Sequence, residues 1–233
     1  MDKNPNTKGH SGNLILGIDD SARGPVIGPM VLAGCLITEE TEKEFRKLGV
    51  KDSKQLTKTR RAFLEGVIKE KAEAFAIQVT PASEIDGKNQ SGINLNDIEA
   101  HMAAKIINEI NKGFAKIKVV IDCPSTNRTN WREDVRTHIE NLSNLEIACE
   151  HKADRNHIAV SAASILAKEE RERQMDILRE KYGDEIGSGY SSDPKTTKFL
   201  ATNIKKLEHH GIFRKSWKTW KKANHDSGQK KLC

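Results

Sequence analysis

The chain has 233 residues with 39 Lys or Arg against 33 Asp or Glu, a formal charge of +6 and a pI near 9.0. That length supports one main core with a small appendage and excludes two full domains, while the basic balance points to a polyanionic partner without naming it. Four scattered cysteines (Cys35, Cys123, Cys149, Cys233) without C-x-x-C pairing exclude a disulfide or zinc framework, and no segment approaches the roughly 20 apolar residues of a membrane span, so a soluble, cytoplasmic protein is expected.

Residues 1–12 are polar and rich in Gly, Pro and Asn, and read as a disordered arm without the apolar stretch of a secretory signal. Leu14 to Asp19 and Met30 to Ile37 are apolar runs joined by a Gly/Pro turn, which predicts two strands. Helical spacing through Phe63, Leu64, Val67 and Ile68 predicts a helix from Thr57 to about Ala74, with a strand at Phe75–Val79. Asn96 and Glu99 resemble a capping box ahead of a helix that carries Ile106, Ile107 and Ile110. A β-branched strand, Ile117–Asp122, follows, then a helix over about Asn130–Leu142 and a strand at Leu145–Cys149. Ile158 to Tyr182 reads as a long helix, and Asp193-Pro194 as a helix start. His209 and His210 before Gly211 read as a helix C-terminal cap, and a final helix covers about Arg214–Ala223. The order predicts a mixed α/β sheet with a C-terminal helical appendage.

From Asn203 onward there are nine Lys or Arg against Glu208 and Asp226. This run is either a solubilising tail or a phosphate-gripping surface; Trp217 and Trp220 among the lysines favour the second.

Acids close two of the apolar runs: Asp19 and Asp20 after the first strand, Asp122 after IKVVID. In open α/β sheets ligands gather beyond the carboxyl ends of strands, so these acids converge if the two strands are neighbours. Asp154, just before the long helix, is a third element. Crowded carboxylates call for cations, and oxygen-only ligands select Mg²⁺ or Mn²⁺, two of which form a device for phosphodiester hydrolysis. Taken singly, each acid reads equally well as a turn residue or helix cap. Phosphate-binding-loop, nucleophile-elbow and H-E-x-x-H motifs are missing from the sequence.

Five segments in order, GIDDSARGPVIGPMV (17–31), KDSKQLT (51–57), VVID (119–122), EHKADRNHIAVSAASILAKEERER (150–173) and GSGYSSDPKT (187–196), resemble type 2 ribonuclease H, ribonuclease HII, in its archaeal form. The resemblance implies a ribonuclease H-like fold, a five-stranded mixed sheet flanked by helices, over residues 13–185. A helical substrate-binding region at 186–224 and a flexible basic tail at 225–233 would follow. It implies Asp19, Asp20, Asp122 and Asp154 as the metal-binding catalytic carboxylates for two Mg²⁺ or Mn²⁺ ions. Ser21, Ala22, Arg23, Gly24 and Tyr190 would read the RNA–DNA junction, the turn through its backbone at the 2′-hydroxyl and the tyrosine by stacking. Lys54 matches the family's phosphate contact, or is an exposed loop lysine. The partners implied are RNA/DNA hybrids and DNA duplexes carrying ribonucleotides, with the protein acting as a monomer and away from membranes.

The family's usual D-E-A-G-R-G is here Asp19-Asp20-Ser21-Ala22-Arg23-Gly24. Because successive strand side chains alternate, Asp20 is expected to reach the metals from a bend after the strand, and it is shorter than Glu by roughly 1.5 Å. Ala22 brings a Cβ and resistance to φ > 0 where the family has Gly. Weaker activity, a shift towards Mn²⁺ or rescue by a moved backbone is expected from Asp20, and blunter recognition of single ribonucleotides from Ala22. The alternatives are a non-catalytic hybrid-binding protein, or a DNA nuclease or resolvase, against which the Tyr190 segment argues.

Overall fold

The computed structural model describes residues 13–51 and 53–229; the expected arm at 1–12, Cys233 and the end of the basic tail lie outside them. Five strands, β1 (Leu14–Ser21), β2 (Met30–Thr38), β3 (Ala74–Thr80), β4 (Ile117–Asp122) and β5 (Leu145–Glu150), form one sheet in the order β3-β2-β1-β4-β5. β2 pairs antiparallel with β1 and β3, and β4 parallel with β1 and β5. β1 and β4 are therefore neighbours running the same way, with Ile18 opposite Ile121. Asp19, Asp20 and Asp122 thus emerge at the same end of the sheet, which is the condition the sequence left open.

The helices are α1 (Glu39–Lys47), α2 (Lys58–Lys71), α3 (Ala82–Gln90), α4 (Leu95–Ile110), α5 (Arg128–Thr137), α6 (Ala153–Asn156), α7 (Ile158–Tyr182), α8 (Pro194–Asn203) and α9 (Lys218–Gln229). α1 and α3 escape hydrophobic patterning because they are short and bury little: Phe45 alone in α1, and Ala82, Ile85 and Asp86 in α3. α5 stops at Thr137, short of the expected Leu142. α8 ends at Asn203, so His209 and His210 do not cap it; His210 instead meets the Tyr182 hydroxyl at 3.1 Å. α9 begins at Lys218 rather than Arg214 and runs on to Gln229, beyond the expected end at Ala223 and into the segment expected to be a flexible tail. The capping box of α4 is Asn94 with Asp97, two residues earlier than expected. The Asn94 side chain accepts from Asn96 N and Asp97 N while Asp97 Oδ2 accepts from Asn94 N at 3.0 Å, which frees Asn96 and Glu99 for other contacts.

The sheet is covered on both faces. Leu16, Ile18, Leu32, Val119 and Ile121 pack against α4 and α5, whereas Val31, Ala33, Cys35 and Ile37 pack against α7, α2 and α1. α7 lies so close to β1 that a Cβ on Gly17 would sit 2.1 Å from the Ala159 carbonyl carbon, so only glycine fits there. A third cluster, including Val26, Ile27, Met175, Phe199, Phe213 and Trp220, seats the C-terminal segments on the end of α7 and the loop after β1. Among the described residues no helix is long and apolar enough to cross a membrane.

Candidate active site

Asp19, Asp20, Asp122 and Asp154 line one cavity of about 250 Å³, together with Ser21, Ala22, Arg23, Gly24, Lys54 and Tyr190. Ser53, Ser164 and Lys168 complete its wall. All ten residues singled out in the sequence are thus brought together.

The two adjacent acids are handled by different helices. β1 continues to Ser21 with Asp20 still paired opposite Leu32, so Asp20 does not sit on a bend after the strand. Alternation sends Asp19 towards α7, where Ser164 bonds its carboxyl, and Asp20 towards α4, where Arg23 and Glu99 lie. Ser164 Oγ also meets Ser53 Oγ at 2.9 Å, tying the 3₁₀ turn that carries Lys54 to the helix beside Asp19. Arg61 strengthens that tie, bonding the Leu56 carbonyl and Glu169 of α7. Asp122 Oδ1 accepts from Ala153 N at 3.0 Å and so fixes α6, the single turn on which Asp154 is buried.

Burial, then the charge of Asp20, pushes the Asp19 carboxyl well above the usual carboxylate range, and Asp122 adds to this. Burial likewise raises Asp20 to about 6 against the opposing pull of Arg23. Among the described residues no three His, Cys, Asp or Glu side chains already converge to hold an ion. The donor set nevertheless fits a hard divalent cation. It offers only oxygens, its members repel one another, and Mg²⁺ is usually held by one or two carboxylates completed by water and substrate phosphate.

The turn after β1 is pinned from the far end of the chain. Ala22 adopts φ 69°, the left-handed region its Cβ disfavours. Arg214, wholly buried, donates to the carbonyls of Ala22 (2.7 Å), Arg23 (2.8 Å) and Gly28 (3.0 Å). Burial lowers Arg214 to about 10, which leaves it charged at neutral pH. Trp217 lies over this guanidinium and donates Nε1 to the Gly24 carbonyl at 3.2 Å. Trp220 is buried in the third apolar cluster. Arg214 and Trp220 therefore build the site's frame and are not available to grip phosphate, contrary to the expectation for this cluster; Lys218, Lys221 and Lys222 remain exposed.

Tyr190 stands across from the turn, its Cε1 3.8 Å from where a Gly24 Cβ would lie. Its loop is stitched down: the Gly189 carbonyl accepts from Val26 N and Ile27 N, and a Cβ at Gly189 (φ 83°) would come within 2.5 Å of the Ile27 carbonyl oxygen. Asp193 Oδ2 takes the Ser188 N–H at 2.6 Å while Asp193 also caps α8.

Residues not singled out in the sequence share the site. Ser164 and Lys168 stand one turn apart on α7, and that spacing inside the long helical motif was a usable signal. Arg214 carries none, being indistinguishable from its charged neighbours, and the Asn96–Glu99 spacing mimics a capping box that Asn94 and Asp97 form instead.

A five-stranded mixed sheet with acids gathered at the end of its neighbouring parallel strands is the architecture of the ribonuclease H-like class of proteins. The model of the Ribonuclease HII family matches residues 16–220. A Ribonuclease HII of Methanocaldococcus jannaschii is 43% identical over 94% of this chain and 98% of its own. The solved ribonuclease H2 of Pyrococcus horikoshii superposes with a TM-score of 0.82 at 31% identity, over 93% of this chain and 99% of that one. An Archaeoglobus fulgidus ribonuclease HII, solved in a complex with PCNA, gives 0.77 at 34% identity over 88% and 95%. The chain belongs to the ribonuclease HII family: it is a type 2 ribonuclease H, a hydrolytic endonuclease acting on RNA/DNA hybrids.

Proposed function

We propose that this enzyme also hydrolyses the bond on the 5′ side of a single ribonucleotide embedded in duplex DNA, leaving 3′-hydroxyl and 5′-phosphate ends. It would act as a cytoplasmic monomer that removes misincorporated ribonucleotides. The observation that carries this reading is the shared cavity, in which four carboxylates face a pinned turn and an aromatic ring. Asp19, Asp20, Asp122 and Asp154 would hold two divalent ions, Mg²⁺ or Mn²⁺, which supply activation of water and stabilisation of the leaving oxygen. The chain's own residues do the rest. Ser164 orients the Asp19 carboxylate and Ala153 N–H the Asp122 carboxylate. Lys54 offers a cation to substrate phosphate, Tyr190 a face for the sugar beside the cut, and the 22–24 turn backbone groups for the 2′-hydroxyl, the group that separates RNA from DNA.

The test is cleavage of a DNA duplex with one ribonucleotide, an RNA/DNA hybrid and an all-DNA control, each with Mg²⁺, Mn²⁺ or EDTA. Metal-dependent cutting just 5′ of the ribonucleotide, with DNA intact, is expected. Cutting of the hybrid alone would overturn junction recognition, and binding without any cutting would overturn catalysis.

A further inference from the structure

Glu99 is a carboxylate that the proposed chemistry does not use, yet it is buried on α4 with its side chain 2% exposed. Its Oε2 accepts from Arg23 Nη1, while Arg23 Nη2 donates to Asn96 Oδ1 at 2.6 Å, so one guanidinium is forked across the first turns of α4. Glu99 Oε1 has no hydrogen-bond partner among the described residues. The platform beneath is rigid, because Trp131 Nε1 of α5 donates to the Asn96 carbonyl at 3.0 Å and α4 forms one wall of the main core.

As a stability device this pair is poor. A buried carboxylate is costly, its partner's side chain is 34% exposed, and an apolar residue of similar volume would fill the space more cheaply. What the pair does supply is geometry. Arg23 lies in the turn between Ala22, held by Arg214, and Gly24, which faces Tyr190. Arg214 grips the turn's carbonyls from one side and α4 grips its only long side chain from the other. Anchoring Arg23 on α4 also restrains it from swinging fully onto Asp20, whose carboxyl it already influences.

We infer that Glu99, together with Asn96, is a positioning residue for ribonucleotide recognition, holding Arg23 on α4 and so setting the 22–24 turn against Tyr190. The inference rests on the proposed reading of single ribonucleotides. Displacements of about 1 Å in such a site cost on the order of a hundredfold in rate, so loss of this anchor falls on the substrate that depends on the turn.

The test compares wild type, Glu99→Ala, Glu99→Gln and Asn96→Ala on the single-ribonucleotide duplex and on an RNA/DNA hybrid, with thermal melts to confirm folding. Glu99→Ala is expected to lower kcat on the single ribonucleotide by roughly tenfold or more with KM little changed, to alter hybrid cleavage far less, and to lose its effect in an Arg23→Ala background. Glu99→Gln, which keeps an acceptor for Arg23, should recover most of the rate. If Glu99→Ala does not fold, Asn96→Ala carries the test and should lose single-ribonucleotide cutting in the same selective way. Equal losses on both substrates, no loss, or simple additivity with Arg23→Ala would overturn the inference. If wild type cuts neither substrate, the proposed function falls, and fluorescence anisotropy decides the inference separately. Glu99→Ala must then shrink the affinity difference between ribonucleotide-bearing and all-DNA duplexes; an unchanged difference overturns it.

Discussion

Arg214 and Ala22 stand 192 residues apart in sequence, yet the buried Arg214 guanidinium donates through Nη2 to the Ala22 carbonyl at 2.7 Å. With the Arg23 and Gly28 carbonyls also bound, one side chain satisfies three backbone groups that would otherwise be short of partners. Arg214→Met should destabilise the fold by about 3 kcal/mol or more, the scale for stranding buried acceptors and removing charged hydrogen bonds. Arg214→Lys should recover only part, because an ammonium cannot reproduce the planar fork. Urea unfolding measures both; a loss below about 1 kcal/mol for the Met variant would deny Arg214 this role.

The same turn makes Ala22→Gly informative. Ala at φ 69° costs about 1–2 kcal/mol, from which the extra chain entropy of glycine in the unfolded state subtracts up to about 1 kcal/mol. A net gain of between about 0 and 2 kcal/mol is expected, along with a sharper preference for single ribonucleotides over hybrid. Lower stability would instead mean that the buried Ala22 methyl contributes packing worth more than the strain it carries.

Asp19→Asn separates stability from function. Burial and the neighbouring carboxylates hold the Asp19 carboxyl well above its usual range, so the charged form opposes folding when no cation is present. The metal-free variant should melt higher than wild type, at roughly 2–4 °C per kcal/mol relieved, while cleavage is lost. A lower melting temperature would show that the Asp19 charge is already compensated within the protein.

The strands and the long helix were legible because they are long, strongly patterned segments; α7 is found at the predicted residues, Ile158–Tyr182. The four acids were legible because they close apolar runs or sit in ordered motifs. What was not legible depends on contacts distant in sequence. Arg214 looks like its lysine neighbours until its carbonyl partners are known, and the fork of Arg23 onto Asn96 and Glu99 joins residues 73 and 76 positions apart. Glu99 was misread for a local reason as well. An Asn with an acid three residues later occurs twice in succession, Asn94/Asp97 and Asn96/Glu99, and only the first pair caps the helix.

His101 on α4 and His138 at the end of α5 meet with ring centroids 4.0 Å apart and ring planes tilted by 57°. Burial, then the His138 charge, holds His101 below its ordinary 6.5; Lys88 adds to this, while Asp134 and Asp97 oppose it. The folded state therefore resists protonation more than the unfolded chain does. This contribution is fully present above about pH 6.5 and is lost as pH falls below it. His101→Gln should flatten the decline in unfolding free energy between about pH 8 and pH 5.5, without affecting stability at the alkaline end as strongly. Identical pH profiles for variant and wild type would remove His101 as the source.

With Arg214 and Trp220 committed to the frame, Lys218, Lys221 and Lys222 are the exposed lysines through which α9 would grip a duplex. Each phosphate neutralised contributes about 0.9 to the slope of log affinity against log salt. Replacing all three with alanine should weaken binding to every duplex alike and reduce that slope by up to about 2.7, leaving the ratio of single-ribonucleotide to hybrid cleavage in place. Anisotropy titrations across a salt series check the slope, and cleavage assays check the ratio. An unchanged slope would make α9 a solvated face rather than part of the nucleic-acid interface, and a changed ratio would mean that these lysines take part in reading the junction.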